Sequence, residues 1–405
     1  MENRYIFLGG IWLEEEEKTI IKKSRGTVQS AANELERKII GGLDEVIGRP
    51  TTIINEIFIG SYPKLYDDCI IKAGCFNHSS VSGHVDYNVG FLNLPYVKHI
   101  SRFIHSKKVI RKVCKENENT QLFFIGYGMT RSIIDGLVYA KKIQPNAKTC
   151  LIVPDLPEYM NLSVGRHCIF DTIKKIDAKY NYQMINRIDS FVVLTKYMYP
   201  RLNVKKPFIV IEGIVEEDVD GGGTHLISNQ IKKTIVYTGT LEKKYGICEL
   251  IDSFCQIQGE DLQLVICGKG NSVPYIEEKA KADRRIKYLG TVQAKEARMI
   301  QQNAFILVNP RCSTEEFTKY SFPSKNLEYL ASGRPVIMYK LAGIPDEYDK
   351  HVYYVKDNLK STLEYVLSLS CDELNKKGRE AKEFVLKEKN PVIQTKRIIR
   401  LIQNL

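Results

Sequence analysis

The chain has 405 residues, 43% hydrophobic and 26% charged, with 59 Lys and Arg against 48 Asp and Glu. That length suits two domains, each large enough to bury a core, and the composition is that of a soluble globular protein. No run of about 18 apolar residues offers a membrane span, and the opening MENRYIFLGGIW lacks the basic region and apolar core of a secretory signal. Ten cysteines stand singly with no C-x-x-C pair, which reads as reduced, buried small side chains of a cytoplasmic protein rather than metal ligands or disulfides.

Tyr5–Leu8 reads as a short strand, followed by Gly9 and Gly10, where missing side chains would admit a ligand to the backbone. The acidic run Glu14–Glu17 reads as a solvated loop, and Val28–Ile40 as a helix closed by Gly41-Gly42. Apolar runs at Thr52–Ile59, Cys69–Ala73, Gln121–Ile125, Thr149–Val153, Ser190–Leu194 and Phe208–Ile211, separated by helical patterns, predict a parallel sheet covered on both faces.

The positive charge concentrates early, with 30 basic against 22 acidic residues in 1–212. Much of it lies in Lys98–Lys115, where Ile100, Phe103, Ile104, Ile110, Val113 and Cys114 recur at helical spacing and Arg102, Lys107, Lys108, Arg111, Lys112 and Lys115 fill the rest. Such a helix suits an anionic membrane surface, and equally a core-packed helix with a solvated face. No DNA- or RNA-binding motif accompanies the charge, so nucleic acid is not an expected partner.

Loops at the carboxyl ends of strands line the ligand crevice of open α/β sheets. Gly126-Tyr127-Gly128 is one such end. In Val153-Pro154-Asp155-Leu156-Pro157 two prolines fix the chain around Asp155, which then either touches a sugar or caps the following turn. Gly74–Tyr96 mixes His78, His84, Tyr87 and Phe91 with small polar residues, a composition suited to a carbohydrate acceptor. His78, His84 and Tyr127 are the candidate acceptor contacts. As a metal pair the two histidines have no partner visible in the sequence, and no metal site is expected.

Past Ile214 the acidic, glycine-rich EEDVDGGGTH marks a linker and a second domain. Its Asp218-Val219-Asp220 formally pairs two carboxylates, which on a linker is incidental. Ile235–Tyr237 reads as a strand turning at Gly239-Thr240 into a helix from Ile247, with Lys243 and Lys244 between. Leu262–Cys267 with Gly268-Lys269-Gly270 follows, then Arg285–Gly290; a complete G-x-G-x-x-G is missing, which argues against a nicotinamide enzyme. Ala304–Val308 reads as a buried strand ending at Asn309-Pro310. After a polar loop, Phe322-Pro323-Ser324 opens a helix to Ala331, with Ser324 as N-cap or Pro323 in the first turn, and Gly333 closes it before a strand at Pro335–Met338. A helix N-terminus after a parallel strand favours phosphate. Lys325 adds a full charge there, and Glu328 lies one turn on, placed to accept from a sugar or ribose hydroxyl pair.

The block Phe322-Pro323-Ser324-Lys325 before Glu328-Tyr-Leu-Ala-Ser-Gly-Arg-Pro-Val336 resembles the donor-binding segment of retaining glycosyltransferases of family 4, in a bacterial capsule and exopolysaccharide branch. Glu328 matches the second of that family's two glutamates; Tyr320 stands where the first belongs, with Glu315 and Glu316 nearby. Thr240 and Tyr245 occupy the positions of the family's two basic diphosphate ligands, with Gly239, Leu241 and Gly246 kept.

The resemblance covers nearly the whole chain and implies a GT-B fold, two Rossmann-like α/β domains facing a cleft. The expected acceptor domain is 1–215, with helix 386–405 packing back on it, and the donor domain is 216–385. It implies a hexosyltransferase moving a sugar, with retention and no required metal or other cofactor, from a nucleotide sugar, UDP-linked, to a hydroxyl of a saccharide or lipid-linked saccharide at the inner face of the cell membrane. Donor contacts are then expected at Gly9, Gly10, Gly239, Thr240, Lys243, Lys244, Gly268, Tyr288, Leu289, Tyr320, Ser321, Phe322, Pro323, Ser324, Lys325 and Glu328. The catalytic candidates are Asp155, Arg311, Glu316 and Lys325. A nucleotide-sugar epimerase and a non-catalytic partner subunit of the same fold remain as alternatives.

Overall fold

A computed structural model describes residues 2–26, 28–159, 168–217, 226–227, 232–313 and 315–405. Two units result, Met1–Ile214 with Pro391–Leu405, and Val215–Asn390. Asp218 and Asp220 lie outside the described residues, as does most of the expected linker.

The first unit contains β1 (Asn3–Gly9), β2 (Thr52–Asn55), β3 (Ile70–Ile71), β4 (Gly74–Phe76), β5 (Asp86–Asn88), β6 (Phe91–Leu92), β7 (Gln121–Tyr127), β8 (Lys148–Val153), β9 (Ser190–Val193) and β10 (Phe208–Val210). Eight form one sheet in the order β10-β9-β8-β7-β1-β2-β5-β4, while β3 and β6 make a separate antiparallel ribbon. The sheet is parallel except where β4 runs against β5. In β7 and β8, Phe124, Ile125, Leu151 and Ile152 are all buried although they alternate faces, as a parallel sheet covered on both sides requires.

Several expectations need correction, among them the parallel strand at Cys69–Ala73, which shortens to Ile70–Ile71 and runs antiparallel to β6. Glu14–Glu17 is the first turn of a helix, Glu14–Lys23, because carboxylates suit the positive end of the helix dipole. The next helix spans Ser30–Ile47, passes through Gly41-Gly42 and stops at Gly48, which has φ 74°. The strand expected at 52–59 ends at Asn55, whose side-chain amide turns to donate to the Ile11 carbonyl and to Asn88 Oδ1 at 2.9 and 2.7 Å.

The basic helix runs Val97–Glu116 with a different buried face from the one its apolar spacing predicts. It buries Ser101, Arg102 and Ser106 beside Ile110, Val113 and Cys114, and leaves Ile100 and Ile104 about half exposed at 53% and 51%. Arg102 lies 4.2 Å over the Phe91 ring, and Ser106 Oγ donates to buried Glu56 at 2.5 Å. Lys98 donates to the Ile59 carbonyl at 2.8 Å, and burial pushes its ammonium down to about 7.

The second unit holds β11 (Lys233–Thr238), β12 (Leu262–Cys267), β13 (Ile286–Tyr288), β14 (Ile306–Asn309), β15 (Val336–Met338) and β16 (Tyr353–Tyr354), all parallel, in the order β13-β12-β11-β14-β15-β16. Strand order reverses between β11 and β14 here, and between β1 and β7 in the first unit. These switch points are where open α/β sheets bind ligands, beyond the carboxyl ends of the strands. Helix Pro391–Gln403 belongs to the first unit and packs on helix Ser30–Ile47.

Candidate active site

At the switch point of the second unit, β11 ends at Thr238 and β14 at Asn309. Helix Ser324–Ala331 is bolted between them. Tyr329 Oη accepts from the Thr238 N–H at 2.8 Å and donates to its carbonyl at 3.0 Å, while Asn309 Nδ2 donates to Asn326 Oδ1 at 2.6 Å. Gln301 Nε2 donates to Thr238 Oγ1 at 2.7 Å and approaches Glu328 Oε2 at 3.4 Å. Tyr329, Asn326, Gln301 and Thr238 are all buried, so the helix N-terminus is held at the sheet end by groups with no room to move. Pro323, not Ser324, is the N-cap residue, and no side chain caps it. The first turn of a helix leaves N–H groups without intrahelical acceptors. Lys325 stands in that turn, and its ammonium meets Glu328 Oε2 at 2.6 Å, both side chains about one-third exposed.

Two glycine turns sit above β11 and β12. Gly268 has φ 141°, and a Cβ there would fall 1.8 Å from the Gly239 carbonyl oxygen. The two turns therefore touch backbone to backbone, which only glycine permits. Tyr288 Oη donates to the Gly268 carbonyl at 2.9 Å, and the Leu289 N–H is used by the Ile266 carbonyl at 3.0 Å. The Leu289 side chain is exposed. Thr240 is exposed, and its carbonyl accepts from Tyr237 Oη at 2.8 Å.

Beside this, Arg311 is set against two rings, 5.1 Å from the Tyr245 centroid and 4.8 Å from that of Phe317, and donates to Ser321 Oγ at 2.8 Å. Burial lowers its pKa from the ordinary guanidinium value. Lys244 lies over the same rings at 5.4 and 5.6 Å, so Lys244 rather than Lys243 converges with Arg311. The Lys243 backbone is held by Asn271 Oδ1 at 3.0 Å. Glu315 and Glu316 are exposed; Glu316 accepts from Tyr320 Oη at 3.4 Å, and the Glu315 carbonyl accepts from Thr318 Oγ1 at 2.7 Å. Phe322 and Pro323 are buried, Ser324 exposed. The aromatic pair Tyr245/Phe317 and the polar buttress of Asn309, Asn326 and Gln301 escaped the sequence reading. The Asn309-Pro310 strand stop was the visible signal for part of it.

In the first unit, several candidates change role. Gly9 and Gly10 are buried by protein: a Cβ on Gly9 would fall 2.1 Å from Glu36 Oε2, one on Gly10 2.2 Å from the Phe58 ring, and the Gly10 N–H already donates to Glu36 at 2.8 Å. Their openness serves internal packing rather than a donor. Burial holds the Glu36 carboxyl well above the ordinary range. Tyr127 is core, not an acceptor contact. Asp155 follows β8 and keeps much of its surface open to solvent, while the protein packed around it pushes its carboxyl up to about 6. His78 and His84 meet Asp86 at the amino end of β5, away from the carboxyl ends where ligands bind. The fold thereby supplies the partner that the sequence did not reveal.

Residues 232–372 match the family model described as "Glycosyl transferases group 1". No curated protein sequence matches the chain. Among solved structures, the chain is similar over 99% of both lengths to sucrose-phosphate synthase from Thermosynechococcus elongatus, at 13% identity and a TM-score of 0.63. It is similar to Anabaena HepE in complex with UDP at 11% identity and a TM-score of 0.60, covering 99% of this chain and 100% of that one. An E. coli trehalose-6-phosphate protein bound with UDP-2-fluoro glucose aligns at 9% identity and a TM-score of 0.63, over 99% of each chain. The fold is GT-B, and with the matched domain it supports a GT-B glycosyltransferase.

Proposed function

We propose that this chain transfers a sugar from a UDP-linked donor to a hydroxyl of a saccharide acceptor, with retention of configuration, as a family 4 enzyme of bacterial surface polysaccharide synthesis. The observation that carries the reading is that Arg311 and Lys244 share the Tyr245 and Phe317 rings in the loops that follow β14 and β11, while Lys325 stands in the first turn of the helix held at the ends of the same two strands. As the bond from sugar C1 to the β-phosphate oxygen breaks and the acceptor oxygen bonds C1, negative charge grows on the leaving diphosphate. Fixed cations and a helix N-terminus act there more strongly than in water. The acceptor proton leaves with the departing phosphate oxygen. Glu328 keeps one carboxylate oxygen on Lys325 and offers the other to the ribose hydroxyls. These side chains supply the charge that neutralises the diphosphate, so the reading requires no metal.

Asp155 is the proposed polar contact for the transferred sugar. A lipid-linked acceptor is favoured by the exposed apolar residues Leu92, Tyr96, Val97, Ile100 and Ile104, which continue into the basic half of helix Val97–Glu116 and suit an anionic membrane at the cytoplasmic face.

Incubation with a panel of nucleotide sugars, with and without a membrane extract, tests the reading. Acceptor-dependent nucleotide release is the expected result. Conversion of the sugar without acceptor would replace it by epimerisation, and binding without turnover by a partner subunit.

A further inference from the structure

The edge of the first sheet carries a side-chain cluster that sugar transfer does not use. An imidazole nitrogen from each of His78 and His84 and a carboxylate oxygen of Asp86 lie within 4.8 Å of one another. Asp86 is fully buried, and the two histidine side chains are only 10% and 11% exposed. The Asp86 carboxylate is fixed by two backbone donors, the Ile53 N–H on Oδ1 and the His78 N–H on Oδ2, each at 2.9 Å. An ionised carboxylate has about four acceptor positions. Two of them remain, and they face His78 Nδ1 at 2.6 Å and His84 Nε2 at 2.9 Å. The remote nitrogen of His78, Nε2, lies 2.8 Å from Asp44 Oδ2, and Asp44 is itself held by the Thr51 N–H at 2.7 Å. A carboxylate behind an imidazole is the arrangement that orients metal-binding histidines, because it takes the remote proton and leaves a lone pair on the near nitrogen.

We propose that His78 Nδ1, His84 Nε2 and the Asp86 carboxylate bind one divalent first-row cation of the zinc type, with Asp44 behind His78 fixing its tautomer. Two imidazoles and a carboxylate suit a borderline ion and leave a fourth position for water. Ligand atoms about 2.0–2.1 Å from a tetrahedral ion stand roughly 3.3 Å apart. The hydrogen-bonded separations of 2.6 and 2.9 Å therefore open by about 0.7 and 0.4 Å as the ion enters; the proton on His78 Nδ1 passes to solvent, and the one on His84 Nε2 moves through solvent to its other ring nitrogen. Charge favours the ion over a proton alone. Two carboxylates balance one divalent cation, whereas a single imidazolium leaves this largely buried group net negative. The bound ion would tie the segment between β4 and β5 to helix Ser30–Ile47 at the amino end of β5, away from the donor site, so the proposal stands or falls separately from glycosyl transfer.

Calorimetric titration of the chelator-treated full chain with zinc is the test, paired with cobalt absorption. One equivalent should bind saturably at micromolar zinc. His84→Gln should abolish that event while leaving the circular dichroism unchanged, and Asp44→Asn should weaken it by about 10- to 100-fold. Cobalt should show no thiolate charge-transfer band, and Cys75→Ser, which removes the exposed thiol of β4, should leave stoichiometry and affinity intact. Failure of the wild type to saturate, equal affinity in wild type and His84→Gln, or loss of the site in Cys75→Ser would each overturn the proposal.

Discussion

Lys325 and Glu328 form an i, i+3 pair at 2.6 Å with both side chains about one-third exposed, and such a pair contributes only about 0.2–0.5 kcal/mol to folding. Replacing either should leave stability nearly untouched, so a large change in nucleotide affinity would report on function alone. A charge-assisted hydrogen bond contributes about 1.5–3 kcal/mol, and Glu328→Gln should therefore cost about 10- to 150-fold in affinity for UDP as well as for the donor, since both carry the ribose. Lys325→Ala should weaken UDP binding and also lower kcat, because its partner charge grows in the transition state. Calorimetry showing wild-type UDP affinity in both variants would remove this helix as the donor site. Asp155 gives a pH signature. Its solvent-open side limits the effect of the surrounding protein, so its inflection is expected between the ordinary 3.8 and about 6. If the ionised carboxylate accepts from a sugar hydroxyl, kcat/KM falls as pH drops through that window. Asp155→Asn should lose the inflection together with about 10- to 150-fold in rate.

At the scale of elements, two adjacent glycines make opposite predictions. A Cβ on Gly42 would fall 2.7 Å from the Pro391 carbonyl oxygen and 2.9 Å from Thr395 Cγ2, while one on Gly41 meets nothing within 4 Å. Gly42→Ala should push helix Pro391–Gln403 off its partner and cost about 1–3 kcal/mol. Gly41→Ala, in a solvent-facing helix interior, should stabilise by up to about 1 kcal/mol. Urea denaturation of both variants checks the sign. The pair also shows what the sequence withheld. Two glycines in a row read as a helix stop, since the reason for the second is a contact with a segment some 350 residues later. The parallel strands were legible because burial on both faces leaves continuous apolar runs in β7, β8, β11 and β12. The short strands β4, at the sheet edge, and β5 beside it, exposed or polar for much of their length, leave no such trace. Helix Ser324–Ala331 was legible from local chemistry, with a proline at its start, Lys325 in its first turn and Gly333 past its end. Its buttress was not, since Tyr329 and Thr238 stand 91 positions apart and meet only when β11 and β14 become neighbours.

For the molecule as a whole, charge and exposed apolar surface coincide on the first unit. The formal net charge of +11 is carried mostly by residues 1–212. Arg102, which the helical spacing counts as outward charge, is instead spent inside against Phe91, and Lys98 is spent on the Ile59 carbonyl. What faces outward is Ile100 and Ile104 in the first half of helix Val97–Glu116, with Lys108, Arg111 and Lys112 in the second and Lys107 half-buried beside them. Ile70 and Leu92, paired across the β3–β6 ribbon, add a further exposed apolar pair. An interfacial surface needs both kinds of group, apolar side chains to enter the headgroup boundary and cations to meet anionic lipid. Each such cation contributes about 1 kcal/mol near a charged bilayer. Changing Lys107, Lys108, Arg111 and Lys112 together to Gln should therefore weaken sedimentation with anionic vesicles by up to about 4 kcal/mol, with added salt acting in the same direction. Ile100→Ser with Ile104→Ser should weaken it too, and that loss should persist in high salt because burial of apolar area is not screened. Arg111 and Lys112 also touch Tyr139 and Tyr87 within the protein, so thermal unfolding of the fourfold variant must match wild type before the vesicle result is read. Equal sedimentation of wild type and both variants would remove the membrane surface from the proposed function and leave the donor site standing.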